Sequence, residues 1–161
     1  KEKHLLLSTG NKSEIAVGYS TIYGDMAGAY NPLKDIYKTN VYELSKWRNS
    51  AAKDNDFSVR KPIPDNILLK EPSAELAFDQ KDTDSLPSYD ELDTILEHLI
   101  EDDLGVHEII QKGYSKKTVV KVKDLLYLSE YKRYQACPGP KISRKPFALG
   151  RRVPIVNHWR D

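Results

Sequence analysis

The chain has 161 residues, of which 39% are hydrophobic and 30% charged, enough for one core and the balance of an ordinary globular domain. No apolar run approaches the ~20 residues of a membrane helix, nothing reads as a signal peptide, and Cys137 is the single cysteine, which argues against membrane insertion and secretion and fits a reducing cytoplasm. The net charge of +1 hides a segregation, with 3 Lys/Arg against 14 Asp/Glu in residues 61–110 and 13 against 3 in residues 111–161.

These opposed blocks leave three readings open: attraction within the fold, a basic surface for a polyanion such as a dinucleotide, or two solvated faces. Nucleic acid is a poor candidate, because the basic block has no interleaved aromatic signature.

In chain order, Leu5-Leu6-Leu7 reads as a strand buried on both faces. Gly10 then relieves a tight turn, and Asn11 with Glu14 makes a capping box for a helix over roughly 11–22. A glycine-punctuated loop, Tyr23 to Gly28, carries Asp25. A second helix is predicted near 38–50, with Val41, Leu44 and Trp47 as a core stripe. Four prolines (Pro62, Pro64, Pro72, Pro87) argue for irregular structure over 51–87. Within it, the acidic stretch from Asp79 to Pro87 lacks calcium-loop spacing and reads as a mobile, solvated loop.

Ser88 and Glu91 then open the most regular helix, with Leu92, Ile95, Leu96, Leu99 and Ile100 on one face. A short helix near 106–112 ends at Gly113. A long one runs from a Ser115 cap to about 135 and carries Tyr131-Lys132-Arg133. From Cys137 on, proline and lost periodicity predict an extended arm that must dock to be ordered.

Four blocks stand in order: Thr9-Gly10-Asn11-Lys12-Ser13-Glu14, Tyr23-Gly24-Asp25-Met26-Ala27-Gly28, Ser73-Ala74-Glu75-Leu76 and Tyr131-Lys132-Arg133. In sequence and spacing they resemble the synthetase domain of NAD synthetases, most of all the glutamine-hydrolysing bacterial branch. The resemblance implies an α/β, Rossmann-like domain of the adenine nucleotide alpha-hydrolase type, of which this chain is the helix-rich C-terminal portion. Residues 1–135 would be that part of the ligase domain, and 136–161 a tail docked on the domain or on a partner subunit. The Ser-Gly-Gly-x-Asp-Ser pyrophosphate loop and the glutamine-splitting domain of the family are missing here, so the isolated chain is expected to be inactive.

The implied reaction is ATP-dependent amidation of deamido-NAD to NAD through an adenylate, with ammonia from glutamine or free ammonia, in a cytoplasmic homo-oligomer. The resemblance assigns Thr9, Lys38 and Ser73 to ATP. It assigns Glu14, Asp25, Tyr131 and Lys132 to deamido-NAD, with Glu14 also on Mg²⁺ and Lys132 as the catalytic group. Two positions depart from the family: Phe78 replaces a proline, and Ala29 replaces a glycine beside Gly28. The competing reading is a non-catalytic dinucleotide-binding or assembly module, which the charge-segregated halves and the docking arm would also suit.

Overall fold

The computed structural model describes residues 3–51, 59, 61–73, 81–147 and 149–156. Seven α-helices occur among them: α1 Lys12–Val17, α2 Lys38–Ser50, α3 Asp65–Leu69, α4 Tyr89–Ile100, α5 Val106–Gln111, α6 Lys116–Leu128 and α7 Glu130–Gln135. The core is the meeting of α1, α4, α5 and α6. Leu92, Ile95, Leu96 and Ile100 of α4, Ile109 of α5 and Val119, Val122 and Leu126 of α6 are fully buried there. The α4 stripe is the one its 3.6-residue period predicts.

The leucine run departs from expectation. Leu7 makes one parallel bridge, to Tyr30, through Ser8 N–H to Tyr30 O at 2.9 Å and Ala29 N–H to Leu6 O at 2.9 Å. Leu5, Leu6 and Leu7 are 67%, 63% and 50% exposed. A strand covered on both faces needs neighbours on both sides, and among the described residues only the Tyr30 segment pairs with it.

The first helix is shorter than its periodicity suggests. Gly18 at φ 68° ends α1 in the left-handed region, and Tyr19 N–H closes onto Glu14 O at 2.9 Å. Gly10, by contrast, has no positive φ and relieves no strain. The long final helix is also broken, at Ser129, into α6 and α7. The break turns Glu130 and Arg133 inward, where both are buried. The Arg133 guanidinium donates to Ala16 O at 2.6 Å, to the Leu126 carbonyl and to Glu130 Oε2 at 2.8 Å. A group of the C-terminal half thus satisfies the carbonyls that α1 leaves unpaired. Ser115 gives α6 no side-chain cap, and in α4 the Ser88 hydroxyl accepts from Glu91 N–H at 3.4 Å.

The α2 stripe is not core. No residue of α2 is buried, and Leu44 and Trp47 stand open to solvent, facing a groove shared with Ile142 and Arg144 of the tail. Helical period alone marks an apolar face without saying what covers it.

The tail docks, and charge holds it there. Asp35 accepts from Ile142 N–H at 2.8 Å, Ser143 N–H at 2.6 Å and Ser143 Oγ at 2.7 Å. Lys12, wholly buried, pairs with Asp35 at 2.9 Å and Glu101 at 2.7 Å and donates to Ser143 Oγ at 2.6 Å. Phe147 then enters the core. Arg144 bonds Asp102 at 2.9 Å and Lys145 bonds Asp103. Here the basic and acidic blocks of the sequence meet within the fold.

No helix among the described residues is long and apolar enough to cross a membrane.

Candidate functional site

The end of α1 and the turn after it form one wall of a cleft of about 740 Å³. Glu14 sits on the first turn of α1, placed by its capping box. Its Oε2 accepts from Asn11 N–H at 3.1 Å, and Asn11 Oδ1 accepts from Glu14 N–H at 3.0 Å. The other oxygen, Oε1, accepts from Lys38 Nζ at 3.0 Å. Lys38 opens α2 and lies 5.4 Å from the centre of the Tyr89 ring.

Asp93 of α4 sets the register of the two helices. It accepts from the Ser13 hydroxyl and from both Thr39 N–H and Thr39 Oγ1 at 2.9 Å, while Ser13 Oγ accepts from Lys38 N–H at 2.9 Å. Asp93 therefore caps α2 from outside, where the N-cap residue Tyr37 gives no side-chain bond. Burial pushes the Asp93 carboxyl above its usual range, against the lowering pull of Ser13 and Thr39.

Four of the sequence-predicted residues line the cleft together: Glu14, Asp25, Ser73 and Lys132. Asp25 Oδ1 accepts from Thr21 N–H at 2.6 Å, closing the turn around Gly24. Lys132 Nζ donates to Gly18 O at 2.6 Å and Ser20 O at 2.8 Å. Two of its three ammonium donors are thus spent on the end of α1, and one is left for the cleft. Gly28 lets the Asp25 loop press against the first segment, since a Cβ there would stand 2.8 Å from Ser8 N. Lys38 reaches the cleft through Glu14. Thr9 is exposed in the turn before α1, and neither it nor Tyr131 is among the residues that line the cleft. Ala74 to Leu76 and Phe78 lie outside the described residues.

The cleft also holds residues the sequence reading did not single out: Tyr19, Ser20, Thr21 and Asp82. Asp82 is a correction as well, because the acidic stretch reads as a solvated loop. Asp82–Asp84 instead form a 3-10 turn, and Asp82 is only 4% exposed. Its backbone N–H donates to Pro72 O at 3.0 Å, and its Oδ2 accepts from Tyr89 Oη at 2.7 Å. A backbone bond to the Pro72 carbonyl and a hydrogen bond donated by the Tyr89 hydroxyl draw Asp82 in, and a run of acidic residues signals neither.

The model of the NAD synthase family matches residues 1–136 of this chain. The chain belongs to the NAD synthase family. A glutamine-dependent NAD(+) synthetase of Rhodobacter capsulatus is 53% identical over 158 residues, 98% of this chain and 29% of that protein. One of Acinetobacter baylyi is 53% identical over 157 residues, 98% of this chain and 28% of that protein. The chain thus spans less than a third of the length of these NAD synthase relatives. The crystal structure of a glutamine-dependent NAD(+) synthetase from Cytophaga hutchinsonii shares the fold, with a TM-score of 0.70 at 24% identity over 96% of this chain and 24% of that one. An NMN synthetase from Francisella tularensis is similar at a TM-score of 0.59 and 28% identity, over 89% of this chain and 47% of that one. The helix-rich architecture is therefore that of a synthetase domain in the NAD synthase family.

Proposed function

We propose that this chain supplies part of the nucleotide site of a glutamine-dependent NAD synthetase. The observation that carries the reading is the convergence of Glu14, Asp25, Ser73 and Lys132 on one cleft in a chain of the NAD synthase family. The non-catalytic alternative has no support among relatives that are named synthetases.

The reaction follows from the chemistry of a carboxylate, which is too poor an electrophile to take an amine directly. Attack of the deamido-NAD carboxylate on the α-phosphate of ATP releases pyrophosphate and leaves an acyl-adenylate. Ammonia, drawn from glutamine or free in solution, then attacks the acyl carbon and expels AMP. Positioning and charge neutralisation are what the protein must contribute. In this reading Lys132 turns its remaining ammonium donor to the nicotinate carboxylate and steadies the adenylate. Ser73, Lys38 and Thr9 meet the ATP phosphates, and Asp25 and Tyr131 border the dinucleotide.

Glu14 suits a magnesium ion whose other ligands are phosphate oxygens and water, the usual arrangement for that ion. When bound, Mg²⁺ neutralises phosphate charge. Lys38, already 3.0 Å from Glu14, would share that task. A Rossmann-like sheet as the setting, with residues 136–161 as the docking tail of a 1–135 ligase portion, belongs to the same reading. A cytoplasmic homo-oligomer completes the reading.

Calorimetry of ATP and deamido-NAD binding to the full-length protein, with turnover assays, tests it. Lys132→Ala and Glu14→Ala should each lower turnover by at least tenfold, and unchanged turnover in both refutes the assignment.

A further inference from the structure

Arg151 carries a charge that no carboxylate meets among the described residues. Its backbone is tied to Phe147 by a single bridge, and its guanidinium lies over the Tyr127 ring, 5.5 Å from the ring centre. Nη1 is shut off from solvent and makes no hydrogen bond among the described residues. A guanidinium stays protonated and presents a planar fork of donors, and a buried donor left unpaired costs free energy.

The surroundings add positive charge. Burial depresses the Arg133 guanidinium, Glu130 raises it, and the charge of Arg151 depresses it again. Glu130 is already committed to Arg133, at 2.8 Å. Lys123, one turn before Tyr127 on α6, is only 6% exposed and borders the same space as Arg151. Asp103, the acidic residue on that border, pairs with Lys145.

That space is a cavity of about 390 Å³ between α5, α6 and the tail, with Leu104, Val106 and Val153 as an apolar wall. An apolar lining with a few charged groups to orient the ligand is the usual build of a small-molecule site. None of its lining residues borders the cleft of Glu14 and Lys132. A cation there would be repelled by Arg151 and Lys123, and a neutral ligand would leave the fork without a charged partner. An oxyanion accepts two parallel N–H bonds from such a fork. We propose that this cavity binds a small organic anion, its carboxylate or phosphate head on Arg151 in the field of Lys123 and its apolar body against Leu104 and Val106.

Calorimetric titration of the full-length protein with hexanoate, hexyl phosphate and hexylamine tests the site. The anions should bind in about the millimolar range that ligands of this size reach, and hexylamine should not bind. Arg151→Gln should weaken anion binding by at least about tenfold, the loss expected for hydrogen bonds to a charged group. Lys132→Ala, at the other cleft, should leave it unchanged. Val153→Trp keeps every charge and fills the cavity; it should abolish binding, and it keeps the test available if Arg151→Gln does not fold. A preference for hexyl phosphate names a phosphate ligand, and a preference for hexanoate names a carboxylate. Hexylamine binding as well as the anions overturns the proposal. So does anion binding that survives Arg151→Gln and Val153→Trp but not Lys132→Ala, or the absence of anion binding by wild type. Each of these outcomes leaves the reading of the nucleotide cleft intact.

Discussion

Lys12 and Asp35 meet with their charges 2.9 Å apart and neither side chain more than 2% exposed. Glu101 completes the group at 2.7 Å from the same ammonium, with the ring of Tyr37 5.1 Å away. Two carboxylates share one lysine, and the rest of their demand is met by backbone N–H groups of the tail, Ile142 and Ser143 on Asp35 and Lys145 on Glu101. Such a group stabilises only while it is complete.

Removing the lysine leaves two buried carboxylates uncompensated. Lys12→Ala should cost about 3–5 kcal/mol, and Lys12→Met, which restores the stem, should recover little of it. Urea unfolding with a fixed m-value reads the loss directly. Hydrogen exchange at residues 142–147 should rise in the same variants, because the tail is anchored on this group.

Acid should dismantle the same contact. Burial alone would raise the Asp35 carboxyl, but the N–H groups of Ser143 and Ile142 and the Lys12 ammonium outweigh it and hold the group below its usual 3.8. With the folded value below the unfolded one, its stabilisation is complete above about pH 4 and lost as pH falls through the folded value. Asp93 has the opposite sign: its folded value is raised, so its protonation partly offsets that loss on the way down. Thermal melts from pH 7 to pH 2.5 should steepen below pH 4 in wild type and flatten in Asp35→Asn, which starts from a lower Tm.

The end of α1 tolerates no side chain. Gly18 lies at φ 68°, and a Cβ there would collide with the Ser129 hydroxyl at the break between α6 and α7. Gly18→Ala should cost at least roughly 1–2 kcal/mol from backbone strain alone. Ser129→Gly in the same background should return the steric part and not the strain, a separation that a double-mutant cycle of melting free energies measures.

Arg133 does for α1 what no neighbour in sequence does. Its guanidinium fork serves Ala16 O, Leu126 O and Glu130 at once, a geometry lysine cannot copy. Arg133→Ala should lose about 3–5 kcal/mol by stranding Glu130, and Arg133→Lys should remain clearly less stable than wild type. Because the adjacent Lys132 bonds Gly18 and Ser20 at the cleft wall, nucleotide affinity in Arg133→Lys should fall even where the variant is fully folded. Calorimetry below its melting range checks this.

Local rules were enough for α4 and for the Asn11–Glu14 capping box, since each follows from neighbours three or four residues apart, whereas gross composition left open whether the charge blocks would meet. They failed where a distant partner decides. Nothing near Lys12 in sequence shows that Asp35 and Glu101 will enclose it, and lysine is ordinarily a surface residue. The apolar face of α2 gave the right helix and the wrong burial. Ser129 reads as a mid-helix serine until Arg133 is seen to need the break.

The family motifs placed four of the seven named site residues on one cleft. They were silent on Asp82, whose inward turn depends on Pro72 and Tyr89.

The tail also sets the order of events during synthesis. Lys12 leaves the ribosome among the first residues of this segment, Asp35 soon after, and Glu101 nearly ninety residues behind Lys12 in the chain. The N–H groups that finish satisfying those carboxylates belong to residues 142–145 and emerge later still. Until then the two acids outnumber their single base. The helices around Lys12 therefore reach their final arrangement only after residues 142–145 have emerged and added those N–H groups.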